Sequence, residues 1–181
     1  MGTVSVPTFF SEETMDTAPA KTILLLGVGN SIYSDEGIGV HAANHLEENY
    51  TFSANVTLVE GGTLGKMLMQ YLVECDKVIV MDAVRGGGAP GTIYRLENED
   101  LRKSLGFCDS QHQVDLVDIL IHCELVGSRP EAIVIGMEPA DLTTLSLCLT
   151  ETIAERMPKF IGHILDELTE SGGTYSKKGS A

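Results

Sequence analysis

Basic residues are scarce in this chain: 12 Lys and Arg stand against 26 Asp and Glu, a formal net charge of -14. Binding to a phosphate backbone draws on clustered cations, so the balance argues against a nucleic-acid partner. Long apolar runs are missing too. None approaches the roughly 20 residues that a membrane-spanning helix needs. The first 20 residues, expected to be a poorly ordered leader, carry Glu12, Glu13 and Asp16. They have neither a basic start nor an apolar segment, which argues against a secretory signal. Cysteine is limited to Cys75, Cys108, Cys123 and Cys148, with no CxxC spacing. That excludes the patterns of a zinc ribbon and a thioredoxin motif and suits reduced thiols in a cytoplasmic protein. The chain also lacks a Gly-x-Ser-x-Gly elbow, the sequence sign of a serine nucleophile.

What is present is an ordinary globular core. The chain has 181 residues, 43% of them apolar, enough for one domain that buries roughly 70% of its unfolded surface. After the leader, strand and helix patterns alternate, the signature of βαβ architecture. Strands are expected near Ile23–Leu26, Val56–Glu60, Lys77–Met81, Thr92–Leu96 and Ala132–Gly136. Helical spacing marks a segment from Asp35, then Leu64 to Val73, Gln113 to Leu125 and Thr144 to Leu168, the last with a weak point at Pro158. The face of the third is expected to be Val114, Val117, Leu120 and Ile121. The turn Gly86–Gly91 is too short for a crossover helix, so the Thr92–Leu96 strand should run antiparallel at an edge. The expected fold is therefore three-layer α/β/α with a mostly parallel five-stranded sheet. One domain spans 21–169, and a Gly/Ser/Lys-rich tail, 170–181, is expected to be flexible.

The first strand-loop-helix unit carries the most information. Gly27 and Gly29 allow a sharp turn after a buried strand, and Asp35 and Glu36 follow at the mouth of that strand. Ligands of open α/β sheets bind at this edge. Gly27-Val-Gly29, with Glu60 closing the next strand, offers part of a dinucleotide fingerprint. Ile32 occupies its third glycine position, however, and two acids stand where a pyrophosphate would lie. Asp82 ends the Val78–Met81 strand, and His112 stands at the head of a helix. If the first and third strands are neighbours, Glu36 and Asp82 face one crevice and His112 can close the set. Two carboxylates and an imidazole suit a first-row divalent metal with open positions. Simpler roles compete: Asp35 as a helix cap, Glu36 as a helix-dipole complement, Asp82 as a turn acceptor, His112 as a cap or surface residue. His41 and His45, at i and i+4, form a rival pair that most simply lies on an exposed helix face.

Gly27-Val-Gly-Asn30, Asp35-Glu36-Gly37-Ile-Gly39, Glu60-Gly-Gly-Thr63, Asp82-Ala83, Ala89-Pro-Gly-Thr92 and Gln111-His112-Gln113 together resemble the [NiFe]-hydrogenase maturation endopeptidases. The likeness runs from about Lys21 to Leu168. It implies an α/β/α hydrolase that removes a C-terminal extension from the hydrogenase large-subunit precursor once nickel is inserted. It also implies a metal-binding triad at Glu36, Asp82 and His112, with Asp35 or Glu36 as the nearest proton acceptor. The departures are a longer N-terminal leader and Gln111, where relatives often have proline. The resemblance leaves open a metallopeptidase or aspartyl-type chemistry. Nickel carried by the substrate is the expected metal, another divalent ion in the free protein is possible, and a monomer is expected. A non-catalytic nickel-sensing or metallochaperone module would need the same three side chains.

Overall fold

The computed structural model describes residues 20–63, 65–97, 111–128 and 130–179, with only the backbone for 66 and 111–117. The leader expected over 1–20 lies almost entirely outside the described residues, as does Cys108. The described residues form seven strands: β1 (Ile23–Val28), β2 (Tyr50–Phe52), β3 (Val56–Gly62), β4 (Lys77–Ala83), β5 (Ile93–Glu97), β6 (Glu131–Met137) and β7 (Tyr175–Lys177). The helices are α1 (Ile38–Asn49), a short α2 (Met69–Leu72), α3 (Gln111–Leu125) and α4 (Glu151–Glu170). Tight 3-10 turns at Ser34–Gly37 and Gly65–Leu68 lead into α1 and α2.

The main sheet has the order β3-β1-β4-β6-β5. Its first four strands are parallel, and β5 runs antiparallel to β6 at the edge. The expected fold class is therefore the observed one. Strand alternation sends side chains to two cores. Ile23, Leu25, Ile79, Met81 and Ile133 meet α1 and α4 on one face, and Leu24, Leu26, Val78, Val80 and Val134 meet α2 and α3 on the other. Both faces are covered, which explains the continuous apolar runs of β1 and β4.

α4 shows why the sheet needs a long helix. Ile153, Phe160, Ile161, Ile164, Leu165 and Leu168 recur at helical spacing and are all buried. Each such side chain contributes about 1.5–3 kcal/mol relative to exposure. Pro158 does not interrupt α4, because it lies on the exposed side, where water can serve the carbonyl its missing amide leaves free. The helix starts at Glu151 rather than Thr144. Residues 144–150 are held as a loop because Asp141 Oδ1 accepts from the Thr143 amide at 2.8 Å, the Thr143 hydroxyl at 2.9 Å and the Thr144 amide at 3.1 Å. Such side-chain acceptors compete with helical hydrogen bonds.

One further expectation changes in part. Of the face expected on α3, the side chains of Val114 and Val117 lie outside the described residues, Leu120 is partly buried against the core and Ile121 is exposed, while Ile119 and Cys123 are buried. Within the tail, Tyr175–Lys177 pairs antiparallel with β2. Tyr175 meets Tyr50 edge to face at a centroid separation of 5.6 Å, and Ser53 donates to the Thr174 carbonyl at 2.9 Å. Partners more than a hundred residues away create this strand, so composition alone misses it.

An ion network secures the amino end of the sheet. Glu167, buried in α4, accepts from Lys77 Nζ at 3.1 Å and from Arg95 Nε at 2.6 Å. Burial pushes the Glu167 carboxyl up, but the hydrogen bonds from Arg95 and Lys77 outweigh it and hold the group below its ordinary range. This pairing stabilises above the ordinary carboxylate value and is lost as the pH falls through the lower folded one. No helix among the described residues is long and apolar enough to cross a membrane.

Candidate active site

Glu36 and Asp82 stand at the opposite, carboxyl edge. Close approach of α1 to the strands sets their placement. A Cβ on Gly39 would lie 2.0 Å from the Met81 carbonyl oxygen and 2.3 Å from that of Val28, so only glycine fits between the ends of β1 and β4. Gly29, at φ +134°, would place a Cβ 2.1 Å from the Glu36 carbonyl. β1 and β4 are direct neighbours, with Gly27 opposite Met81. Glu36, three residues before Gly39, and Asp82, one after Met81, therefore stand at the same end of the sheet. Glu36 is half-buried and Asp82 is 3% exposed.

Asp82 Oδ1 accepts from the Ala83 amide at 2.7 Å. This is the turn-acceptor contact anticipated above, and it also fixes the plane of the carboxylate. His112 is the second residue of α3. Its side chain lies outside the described residues. α3 packs against α2 and the 65–68 turn. Its far end is followed by Ser128, whose hydroxyl donates to the Val73 carbonyl, and by the start of β6. The first turn of α3, which holds His112, therefore lies at the end of the helix away from the start of β6. Among the described residues, no three His, Cys, Asp or Glu side chains form a metal-holding group.

Asp35 does not cap its own helix. Fully buried, it reaches instead to the loop after β6. Its Oδ2 accepts from the amides of Ala140 and Asp141 at 2.9 Å each and from the Thr150 hydroxyl at 3.0 Å. Its Oδ1 accepts from the Thr150 amide at 2.8 Å. The two loops are further joined by a parallel bridge between Tyr33 and Ser146. Ser34, a non-glycine residue with positive φ (41°), donates its hydroxyl to the Cys148 carbonyl at 3.1 Å. Strain of this kind concentrates where the surroundings over-determine the backbone. The 138–150 loop is thus a wall of the site that the helix expected from Thr144 concealed. Its sequence sign was Asp141 with threonines two and three residues on, a side-chain turn pattern.

A second wall follows Asp82. Glu138 Oε2 accepts from the amides of Gly86 at 2.8 Å and Gly88 at 3.2 Å and from the Tyr94 hydroxyl at 2.7 Å. This carboxylate clamps the glycine-rich turn next to β4. Burial and the Glu138 hydrogen bond raise the Tyr94 phenol above its ordinary value. The rival histidine pair divides: His45 is exposed beside Tyr50, while His41 is half-buried with its Nε2 unpartnered in the interior. Burial pushes the Cys75 thiol up to about 11 and raises that of Cys123, so neither is a thiolate near neutrality. Cys148 is exposed.

The glycine loop does not form a phosphate cradle. Its amides are spent on the protein: Gly29 donates to Gly62, Asn30 to Glu36, Tyr33 to Asn30, Ser34 to Ser146, Asp35 to Asp141 and Glu36 to Tyr33. Ile32, at the third fingerprint position, is exposed and packs no helix onto a strand. The loop is built to hold carboxylates, not a pyrophosphate.

A model of the hydrogenase maturation protease family matches residues 40–167. The chain belongs to that family. Among its maturation protease relatives, the hydrogenase 2 maturation protease of Escherichia coli (strain K12) is 34% identical over 152 residues, 83% of this chain and 92% of that one. The hydrogenase expression/formation protein HupD of Rhizobium leguminosarum bv. viciae is 37% identical over 145 residues, 79% of this chain and 72% of that one. The hydrogenase maturating endopeptidase HybD from E. coli superimposes with a TM-score of 0.82 at 32% identity, covering 88% of this chain and 99% of that one. The chain is accordingly a protease of the hydrogenase maturation family with an α/β fold.

Proposed function

We propose that this maturation protease removes a C-terminal extension from the large-subunit precursor of an [NiFe]-hydrogenase after nickel has been inserted. The observation that carries the site assignment is the wedge at Gly39, which fixes Glu36 and Asp82 at one sheet edge. His112 would join them from the first turn of α3. Two carboxylates and one imidazole fit a first-row divalent ion, with positions left for other ligands. We assign that ion to the substrate: it is the precursor's own nickel, and these side chains sense it. Bound there, nickel supplies Lewis acidity toward the scissile carbonyl.

The residues of the chain do the rest. Asp82, oriented by the Ala83 amide, supplies negative charge toward the cation. Both oxygens of Asp35 are engaged by protein donors. We assign proton acceptance from the attacking water to Glu36, its half-buried neighbour. Asp35 serves by fixing Glu36 against the 138–150 wall.

The experiment is an incubation with nickel-loaded and nickel-free precursor, followed by intact mass. The loaded precursor should lose its extension and the nickel-free one should not. Equal trimming of both would remove nickel sensing. Metal-dependent binding without any trimming would favour a metallochaperone.

A further inference from the structure

Three large apolar side chains stand in water beside the glycine loop: Ile32, 49% exposed, Leu145, 72%, and Leu147, 69%. Exposed leucines are common singly, but a group of them held on a rigid frame marks a contact surface. The frame here is rigid. The Ser146 amide donates to the Ile32 carbonyl at 3.0 Å, and the Ser34 amide donates to the Ser146 carbonyl at 2.9 Å. Ile32 thus flanks one side of the Tyr33–Ser146 bridge, and Leu145 and Leu147 flank the other. The Asp35 carboxylate and the Ser34 hydroxyl anchor both segments from beneath. Ordering this frame without a partner would keep three apolar groups in water for no gain.

We infer that Ile32, Leu145 and Leu147 form an apolar lip of the active site that receives uncharged, apolar side chains of the precursor beside its scissile bond. The inference rests on the function proposed above and adds a specificity surface to it. Continuity with the site identifies the occupant. Ile32 lies four residues before Glu36 on one loop, and Leu145 and Leu147 lie between Asp141 and Thr150, whose backbone amides bind Asp35. A polypeptide reaching Glu36 and Asp82 passes this lip. Charge supports the same partner chemistry. The chain carries a net charge of -14, yet residues 27–34 and 142–150 contain no charged side chain. An apolar stretch of substrate meets no desolvation cost from ions there.

The test combines Ile32→Ser, Leu145→Ser and Leu147→Ser in the full chain and measures cleavage of nickel-loaded precursor and affinity for immobilised precursor. The expected result is a fall in kcat/KM of about tenfold or more, carried chiefly by KM, with a matching rise in Kd. An Asp82→Asn variant measured alongside separates the two claims, because it should lose cleavage while binding precursor through an intact lip. If the parent binds but never cleaves, the proposed function fails and Kd still reports on the lip. An unchanged KM and Kd in the triple variant would overturn the lip. So would a loss confined to kcat, or a parent dimer that the triple variant dissociates without any change in KM.

Discussion

Replacing Asp82 by Asn should lower cleavage of nickel-loaded precursor by about a thousandfold or more, the scale of losing one group aimed at developing charge. The substitution keeps volume and can still accept from the Ala83 amide, but it removes the charge that faces a divalent cation. His112→Ala removes the nitrogen ligand of the proposed set and should act as strongly. Neither variant should lose the fold. Asp82 stands at a strand end beside the site, not within the aliphatic layers on either face of the sheet, and His112 lies in the first turn of α3. Circular dichroism checks the fold, and precursor mass reports cleavage. Folded variants that trim the extension at the parent rate would make the triad structural and return attention to the exposed Cys148.

The second large effect is on stability and comes from Asp35. Asp35→Ala strands three amides of part-buried hydrogen bonds, those of Ala140, Asp141 and Thr150, together with the Thr150 hydroxyl. At about 1–3 kcal/mol for each unsatisfied group, partly relieved by water, a net loss of about 3–5 kcal/mol is expected. Asp35→Asn should also destabilise, although it is isosteric. Every recorded partner of the carboxylate is a donor, and the asparagine NH2 group turns a donor toward them. Urea unfolding monitored by circular dichroism measures both. A loss below about 1 kcal/mol in either variant would mean that the 138–150 loop is held by other contacts. Cleavage should fall in both as well, because the wall that fixes Glu36 is loosened.

The sheet was legible because its strands are buried on both faces. Runs such as Ile23–Leu26 and Val78–Met81 admit few other roles, and the six-residue turn Gly86–Gly91 dictates an antiparallel edge. The carboxylate pair at the mouth of β1 was legible too, since glycines and acids at a strand end have few purposes. Asp35 was visible as a residue but not in its role. Nothing local distinguishes a helix cap from a tie to a loop more than a hundred residues away. The 138–150 wall was hidden for a related reason. Leu142, Leu145 and Leu149 mimic helical spacing, while the hydroxyls and Asp141 decide the backbone. β7 illustrates the limit most plainly, because a three-residue strand in a Gly/Ser/Lys-rich tail exists only through Tyr50 and its neighbours.

Glu36, Asp82 and His112 are proposed to act together as one metal-contacting site. A crystal of the protein soaked in nickel or another first-row divalent ion, with anomalous scattering recorded at the metal's edge, tests it most directly. The expected result is one peak at about 2.0–2.2 Å from a carboxylate oxygen of Glu36, a carboxylate oxygen of Asp82 and a ring nitrogen of His112. A peak at His41 and His45 alone, or a peak that touches Asp82 while His112 points elsewhere, would contradict the account.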